Sequence, residues 1–410
     1  GSFTVGAGDN SPDLTVSSIN LTGTLRDAAL NDADTAIETG ENLAENASIV
    51  IDTTAPTIAS ITSATANGSY NNMSTVDITV NMSEPVTLAG ACNVQLDTGA
   101  IVSVSSAVYP ATVLNGTYAI GAGENSSDLD ATGVSIAGTL TDAAGNGADT
   151  TLPGSNLAVN KAIVIDTIAP AVDYITSATA AGAYNEPDAI DVTVAFTEPV
   201  TCGGSITVTF DTGGTAVIGA FGPSSIANGT YTVGAGHNST RLQETLIGAV
   251  GAVTDQAGNA AVIALPANTI YSSMIIVIDT TAPTINSIYG TSGAFNQGQT
   301  LNFTVEFSEG VTLTGGNILL AMDTGGTAVI SSCPGLNTPT ASYTVGAGEN
   351  TNDLTVNPGG ISLSAGSLTD EAGNPADMTV PPSNLGVTSN IVVDTAAPSL
   401  ASISSSMMGS

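Results

Sequence analysis

Basic side chains are almost absent from this 410-residue sequence. Lysine and arginine together number 3 against 36 acidic residues, so the formal net charge at pH 7 is −33. The three basic residues are Arg26, Lys161 and Arg241. So few cations cannot neutralise the phosphates of a nucleic acid or hold the chain on an anionic membrane. The acidic groups must be screened by water and salt or paired with bound metal cations.

Histidine and aromatic residues are also scarce. The sequence has one histidine, His237, no tryptophan and 4% aromatic residues. Catalysis by histidine and stacking of sugars on aromatic rings therefore have little support, and we do not expect an enzyme. No apolar run approaches the ~18 residues of a membrane span, so we expect no membrane insertion of this segment. The first residues lack a signal-peptide pattern and are typical of the start of a segment.

Cysteine occurs three times, an odd number. Cys92, Cys202 and Cys333 fall once in each of the repeats described below, at positions that do not correspond. This distribution argues against a framework of disulfides within domains. We expect small buried side chains, with an interchain disulfide as the alternative.

What the sequence does contain is an internal repeat with a step of about 114 residues. The marker Ile/Val-Asp-Thr-x-Ala-Pro occupies 51–56, 165–170, 278–283 and 393–398. The marker Asp-x-Ala-Gly-Asn occupies 142–146, 255–259 and 370–374, with a looser copy at 27–31. The marker Glu-Pro/Gly-Val occupies 84–86, 198–200 and 309–311. An aromatic residue followed by x-Val/Ile-Gly-Ala-Gly occupies 3–8, 118–123, 231–236 and 343–348.

These markers divide the chain into repeat units. Three complete units are predicted at 56–169, 170–282 and 283–397. The second half of a unit precedes them at 1–55, and the first strand of a following unit is predicted at 398–410. The Ala-Pro that ends each Asp-Thr-x-Ala-Pro marker indicates a stiff, extended linker.

Each unit has the pattern of about seven short strands. Val76, Ile78, Val80 and Met82 alternate with polar residues, which predicts a strand with one buried face, and the other units repeat this pattern. Asp-Thr-Gly stretches such as the one from Asp97 predict hairpin turns. We therefore predict an all-β chain of tandem immunoglobulin-like β-sandwich domains arranged as an elongated rod.

The paired markers Asp-x-Ala-Gly-Asn and Ile/Val-Asp-Thr-x-Ala-Pro, once per unit, resemble the bacterial Ig-like domain repeats of large extracellular surface proteins and adhesins. The resemblance covers essentially the whole chain. It implies a stalk of tandem domains with Ca²⁺ at the domain junctions, held partly by the linker aspartate.

The strand topology of a sandwich brings the same markers together. An odd number of strands places the linker Asp, the Glu of Glu-Pro/Gly-Val, and the Asp and Asn of Asp-x-Ala-Gly-Asn at one end of each unit. The candidate metal ligands are Asp52, Glu84, Asp142 and Asn146; Asp166, Glu198, Asp255 and Asn259; and Asp279, Glu309, Asp370 and Asn374. Three carboxylates without a nearby cation would repel, and a hard cation with six to eight oxygen ligands resolves this. The alternative is that these residues cap turns through local hydrogen bonds.

A second acidic pair lies at the opposite end of the unit. Glu124 and Asp128 share a loop, and the middle unit has His237 and Arg241 at the corresponding positions. The joint replacement hints that the two side chains face a common spot, either a secondary ion site or a junction surface. A solvated loop is the alternative.

The predicted function is that of an extracellular structural stalk or spacer of a cell-surface adhesin-like protein, rigidified by Ca²⁺ at the junctions. The alternative is a subunit of an extracellular filament or sheath, assembled by strand complementation of incomplete terminal domains. A ligand-binding module has less support because no loop is distinctive. The expected partners are neighbouring domains or copies of the same protein, and the sequence does not identify a distal adhesion ligand.

Overall fold

The computed structural model describes residues 1–404. Within this range the chain is all-β, with 45% strand and 4% helix. Contacts between Cα atoms divide it into two compact units, Gly1–Pro170 with Thr254–Ala260, and Ala171–Val253 with Ala261–Ser410. No helix in the described range is long and apolar enough to span a lipid bilayer.

The first unit contains seven strands and two single-turn helices. In chain order they are α1 (Leu43–Asn46), β1 (Ile58–Thr62), β2 (Gly68–Tyr70), β3 (Thr75–Leu96), β4 (Ile101–Val104), β5 (Ala111–Ala119), β6 (Ala131–Thr141), α2 (Leu157–Asn160) and β7 (Ile163–Ile165). The first half of β3 pairs antiparallel with β1 and β5, and its second half with β4 and β6. The strands β2 and β7 form a parallel pair.

The predicted alternation of β3 places its apolar residues in the core. Val76, Ile78, Val80 and Met82 are all buried, and they pack with residues of the other strands from Ile58 to Ile165. A period of two sends successive side chains to opposite faces of a strand, so the polar residues between them face outward. The hydrophobic core of this part of the chain is thus built by one face of each strand.

The remaining elements lie in the second unit, apart from Thr254 at the end of β15. The first group is β8 (Val172–Thr176), β9 (Gly182–Tyr184), β10 (Ala189–Cys202), β11 (Ser205–Phe210), β12 (Thr215–Ile218), β13 (Phe221–Thr232), β14 (Glu244–Val250), β15 (Val253–Thr254), α3 (Ile270–Ser273) and β16 (Ile276–Ile278). The second group is β17 (Ile285–Gly290), β18 (Gly293–Phe295), β19 (Thr300–Phe307), β20 (Val311–Thr314), β21 (Ile318–Met322), β22 (Thr327–Ile330), β23 (Pro334–Leu336), β24 (Thr340–Thr344), β25 (Val356–Leu363), β26 (Ser367–Thr369), α4 (Leu385–Thr388) and β27 (Ile391–Val393).

Each group in the second unit has its own hydrophobic core. One core is formed by residues between Val172 and Ile278, and the other by residues between Ile285 and Val393. The strands β14-β11-β12-β13-β10 are neighbours in one sheet, and β17-β19-β24-β22-β21-β25 in another. Parallel pairs of three residues, β9 with β16 and β18 with β27, repeat the pairing of β2 with β7.

The ends of the described chain are less regular. Residues 1–57 contain no strand, although isolated bridges such as Ser11 with Ile51 give part of this segment a sheet-like pairing. Residues 398–404 also form no strand, and the rest of the predicted strand at 398–410 lies outside the described residues. The three cysteines are free and buried, as expected for small core side chains.

Pro85 favours a break in the strand at Glu84, but the structure shows none there. The strand β3 continues through Glu84, and its pairing with β5 skips from Asn81 to Val86. The chain therefore changes sheets through an irregular but still extended stretch. At the corresponding position in the third repeat a bend around Glu309 separates β19 from β20. Gly310 follows Glu309 in place of a proline.

Candidate metal centre

Three carboxylates meet where the first linker approaches β3 and the loop after β6. Oxygen atoms of Asp52, Glu84 and Asp142 all lie within 4.8 Å of one another. Two oxygens bound to one Ca²⁺ at about 2.3–2.6 Å are separated by at most about 5 Å. Asp142 is buried, and the other two residues are half-buried. The geometry therefore fits a single metal ion.

The loop after β6 is closed by hydrogen bonds between Asp142 and Asn146. The Asn146 backbone N–H donates to Asp142 Oδ1 at 2.8 Å, and its amide Nδ2 donates to Asp142 Oδ2 at 2.7 Å. The same Nδ2 donates to the backbone carbonyl of Asp52 at 3.1 Å. Asn146 thus ties the loop to the linker, and a metal ligand from this residue would be its amide oxygen.

The linker aspartate also makes the local bond of a turn cap. Asp52 Oδ1 accepts a hydrogen bond from the backbone N–H of Thr54 at 2.9 Å. Both aspartates of this group therefore make the hydrogen bonds that capping alone would predict. Capping does not require Glu84 to stand beside them, so the clustered charge needs a further explanation.

Electrostatics distinguishes the members of the group. Burial, and then the charges of Asp52 and Asp142, raise the pKa of Glu84. Burial alone would raise the pKa of Asp142, but hydrogen bonds from Asn146, Gly145 and Ala144 outweigh it and lower that pKa. Without a cation the ionised form of Glu84 is thus disfavoured, whereas that of Asp142 is favoured. Within residues 1–404 no ion pair joins a basic side chain to Asp52, Glu84 or Asp142, and Arg26 pairs with Asp32 instead.

The third linker carries an equivalent group. Oxygens of Asp279, Glu309 and Asp370 lie within 4.8 Å of one another. Asn374 donates through Nδ2 to Asp370 Oδ2 at 2.8 Å and to the carbonyl of Asp279 at 2.9 Å. Burial, followed by the charges of Asp279 and Asp370, raises the pKa of Glu309.

A cavity of about 570 Å³ opens beside this third group. Asp279, Glu309 and the neighbouring carboxylate Glu371 line it, together with the backbone of Gly310 and Gly335. Our sequence prediction did not include Glu371. The signal was present, because this copy of the marker is Asp-Glu-Ala-Gly-Asn where the others have alanine or glutamine in second position.

The remaining predicted ligands are placed as follows. Asn259 donates to Asp255 Oδ2 at 2.7 Å and to the carbonyl of Asp166 at 2.9 Å, all within the first unit. Glu198 belongs to the second unit, where it lies half-buried within β10. In the first segment, Asn31 bonds Asp27 in the same way, but both residues are exposed.

The acidic residues at the opposite end of the repeat, Glu124 and Asp128, lie in different surroundings. Glu124 Oε2 accepts hydrogen bonds from the Tyr118 hydroxyl and the Gly121 N–H, both at 2.6 Å. Asp128 is exposed on the same loop. Glu124 therefore has a structural role in holding a buried tyrosine, which the sequence analysis did not predict.

No protein-family model and no curated protein sequence matches this chain. The resemblance to bacterial Ig-like repeats therefore rests on the recurring markers alone.

Proposed function

We propose that this protein is an extracellular structural segment, a stalk or spacer of an adhesin-like surface protein without enzymatic activity, whose linkers bind Ca²⁺. One observation carries the proposal. A carboxylate oxygen of Asp52, and likewise one of Asp279, lies within 4.8 Å of oxygens from two further carboxylates. The sandwich-like all-β cores are consistent with a spacer, as are the stiff linkers that the sequence predicts.

The electrostatic cost of the groups supports a bound cation. Two unit charges 4.8 Å apart repel by about 3.5 kcal/mol at an effective dielectric constant of ~20, and by about 0.9 kcal/mol in water. Each group contains three such pairs when fully ionised. A divalent ion converts these repulsions into attractions, and Ca²⁺ accepts the flexible oxygen-only shell that carboxylates, carbonyls and water provide.

A cation in this position would stiffen the linker. Asp52 belongs to the linker, whereas Glu84 and Asp142 belong to the folded repeat that follows it. A metal bonded to both restricts the backbone torsions between them. Binding to the folded state alone also stabilises the repeat by RT ln(1 + [L]/Kd).

Calorimetric titration of the metal-free protein with Ca²⁺ tests the proposal. We expect saturable binding at more than one site, and Asp142→Asn should weaken the site at the first linker by tenfold or more while leaving the site at Asp279 unchanged. The matched control is Asp128→Asn, which removes an exposed acid of the same repeat outside the group. Equal binding by both variants, or no saturable binding at all, would refute the proposal.

A second candidate function is a filament or sheath subunit completed by strands from another chain. Residues 1–55 repeat the bonds between turn and linker of the later repeats, with Gly8 N–H donating to Thr53 Oγ1 and Thr53 N–H donating to Asn10 Oδ1, but they expose their apolar side chains. Phe3 is 62% exposed, whereas its counterpart Tyr118 is 2% exposed, and Leu25 is 59% exposed against 4% for Leu140. Sedimentation at increasing concentration tests this candidate, and a monomer at all concentrations would contradict it.

A further inference from the structure

In the turn that follows the buried tyrosine of each repeat, one side-chain atom lies within hydrogen-bond distance of both a tyrosine hydroxyl and a glycine N–H. In the first repeat Glu124 accepts from Tyr118 and Gly121, both at 2.6 Å. In the third repeat Glu349 accepts from the hydroxyl of Tyr343 and from the N–H of Gly346. A carboxylate suits this position because its oxygens are acceptors only.

The middle repeat fills the same position with a histidine. His237 Nδ1 accepts from the Gly234 N–H at 3.0 Å and lies 2.9 Å from the Tyr231 hydroxyl. The ring also stacks on Tyr231, with 5.7 Å between centroids. Since a backbone N–H can only donate, Nδ1 carries no proton in this arrangement, and the ring is the neutral Nε2–H tautomer.

Uptake of a second proton removes this acceptor. An imidazolium donates from both nitrogens, so its Nδ1–H would face the N–H of Gly234. The hydroxyl oxygen of Tyr231 can accept from it, but the Gly234 N–H then has no partner. A protonated glutamic acid differs, because it retains one oxygen that only accepts. A histidine at this position therefore loses, on protonation, a hydrogen bond that a glutamic acid keeps.

The surrounding groups do not replace the lost bond. Among the titratable groups, Tyr231 on β13 is bonded to the ring through its hydroxyl. Other charged residues belong to segments that are bonded to this loop or lie on it: Asp211 in the turn after β11, Asp188 before β10, Asp279 on the linker and Arg241 on the loop itself. The oxygens of Asp211 accept from Ser239 Oγ at 2.7 Å and from the Gln243 N–H at 3.1 Å. Asp188 accepts from the Asn185 N–H through Oδ2 at 3.0 Å.

The turn is bonded directly to the linker that follows the repeat. Gly236 N–H donates to Thr280 Oγ1 at 3.2 Å, and Thr280 N–H donates to Asn238 Oδ1 at 2.8 Å. Loosening of the turn around His237 would therefore release two anchors of the linker. The corresponding anchors in the first repeat connect Gly123 and Asn125 to Thr167.

We propose that His237 makes this one turn, and the linker residue Thr280 bonded to it, sensitive to mild acid, whereas the glutamate-containing turns are not. The inference goes beyond the proposed stalk function and requires no bound metal. An acid-sensitive attachment at a single linker would give the chain one place where its flexibility depends on pH.

Amide hydrogen exchange of the full chain in EDTA tests the proposal, at pH 7.5 and 5.5 with correction for intrinsic exchange rates. Loss of a hydrogen bond of this kind corresponds to roughly tenfold more frequent opening. We expect this increase at 234–239 and none at 121–126 or 346–351. His237→Glu should abolish the increase, and Glu124→His should create one in the first repeat.

Nuclear magnetic resonance of the ring nitrogens provides a check that needs no variant. The protein has one histidine, so its nitrogen signals are unambiguous. We expect an Nε2–H tautomer at pH 7.5. An Nδ1–H tautomer would overturn the proposal, as would equal acid-induced exchange in all three turns or an increase that persists in His237→Glu. The result of the calcium titration is independent of these measurements, because they are made without metal.

Discussion

Replacement of Glu84 by glutamine distinguishes a metal ligand from a structural cap. In EDTA the substitution should stabilise the first repeat if Glu84 is a metal ligand, and should destabilise it if Glu84 is a structural cap. The substitution preserves shape and removes one of three clustered charges. In EDTA the lost repulsion from Asp52 and Asp142 should stabilise the first repeat by about 1–2 kcal/mol, intermediate between the surface and interior limits. In saturating Ca²⁺ the lost ligand should destabilise it, because an affinity reduced tenfold to hundredfold removes about 1.4–2.7 kcal/mol of binding free energy.

The pH dependence of the same variant follows from the raised pKa of Glu84. A carboxyl group whose pKa is higher in the folded state destabilises that state once it ionises, and the penalty disappears as pH falls through the folded pKa. In EDTA the advantage of glutamine should therefore be largest at neutral pH and should shrink as the pH falls toward and below the pKa of the folded group.

Hydrogen exchange at 140–148 is the appropriate assay, because several repeats unfold in one chain and a single melting temperature is not well defined. Asp128→Asn serves as the control for removal of one negative charge. Equal destabilisation of Glu84→Gln in EDTA and in Ca²⁺ would refute the argument, since a structural cap is needed in both conditions.

Three other predictions concern the framework around these sites. Tyr343→Phe should remove the contribution of Tyr343 to the alkaline destabilisation of the third repeat between about pH 10 and 12, because burial and the bond to Glu349 raise the pKa of Tyr343 to about 12. Ultraviolet titration of the tyrosines during unfolding measures this contribution. Glu244→Ala should destabilise the middle repeat by about 1–2 kcal/mol, because the buried carboxylate caps α3 by accepting a hydrogen bond from the Ile270 N–H at 2.8 Å. Denaturant unfolding should show a much smaller loss of stability for Glu244→Gln. Gly90→Ala should disrupt the pairing of β3 with β6, because φ is +114° and a Cβ would lie 2.0 Å from the carbonyl oxygen of Ala137; loss of exchange protection along β6 would show it, and unchanged protection would contradict it.

The sequence predicted features that depend on local periodicity. The alternation around Val76 and Ile78 correctly identified a strand with one buried face. The spacing of the acidic markers led to the groups around Asp52 and Asp279, because antiparallel topology brings the ends of alternate strands together. Both predictions needed only the period of a strand and its direction.

Features that leave no periodic pattern in the sequence were not predicted. The bond between Tyr118 and Glu124 crosses a glycine turn whose closure cannot be deduced from spacing alone. The single-turn helix α2 is too short to produce a helical period, although Asn156, which caps it, precedes Leu157 as a recognisable signal. The uninterrupted strand through Glu84 was missed because proline at the next position favours a break.

The short parallel pairs have a mechanical consequence. In the first repeat β2 lies near the chain entry and β7 is the last strand before the exit, with Gly68 opposite Ile163 and Tyr70 opposite Ile165. Tension on the two ends of this repeat pulls parallel neighbours in opposite directions along their length. The hydrogen bonds between them are then loaded in shear and must break together instead of one after another. Because the pair recurs as β9 with β16 and β18 with β27, the same three-residue clamp resists extension in each repeat in turn.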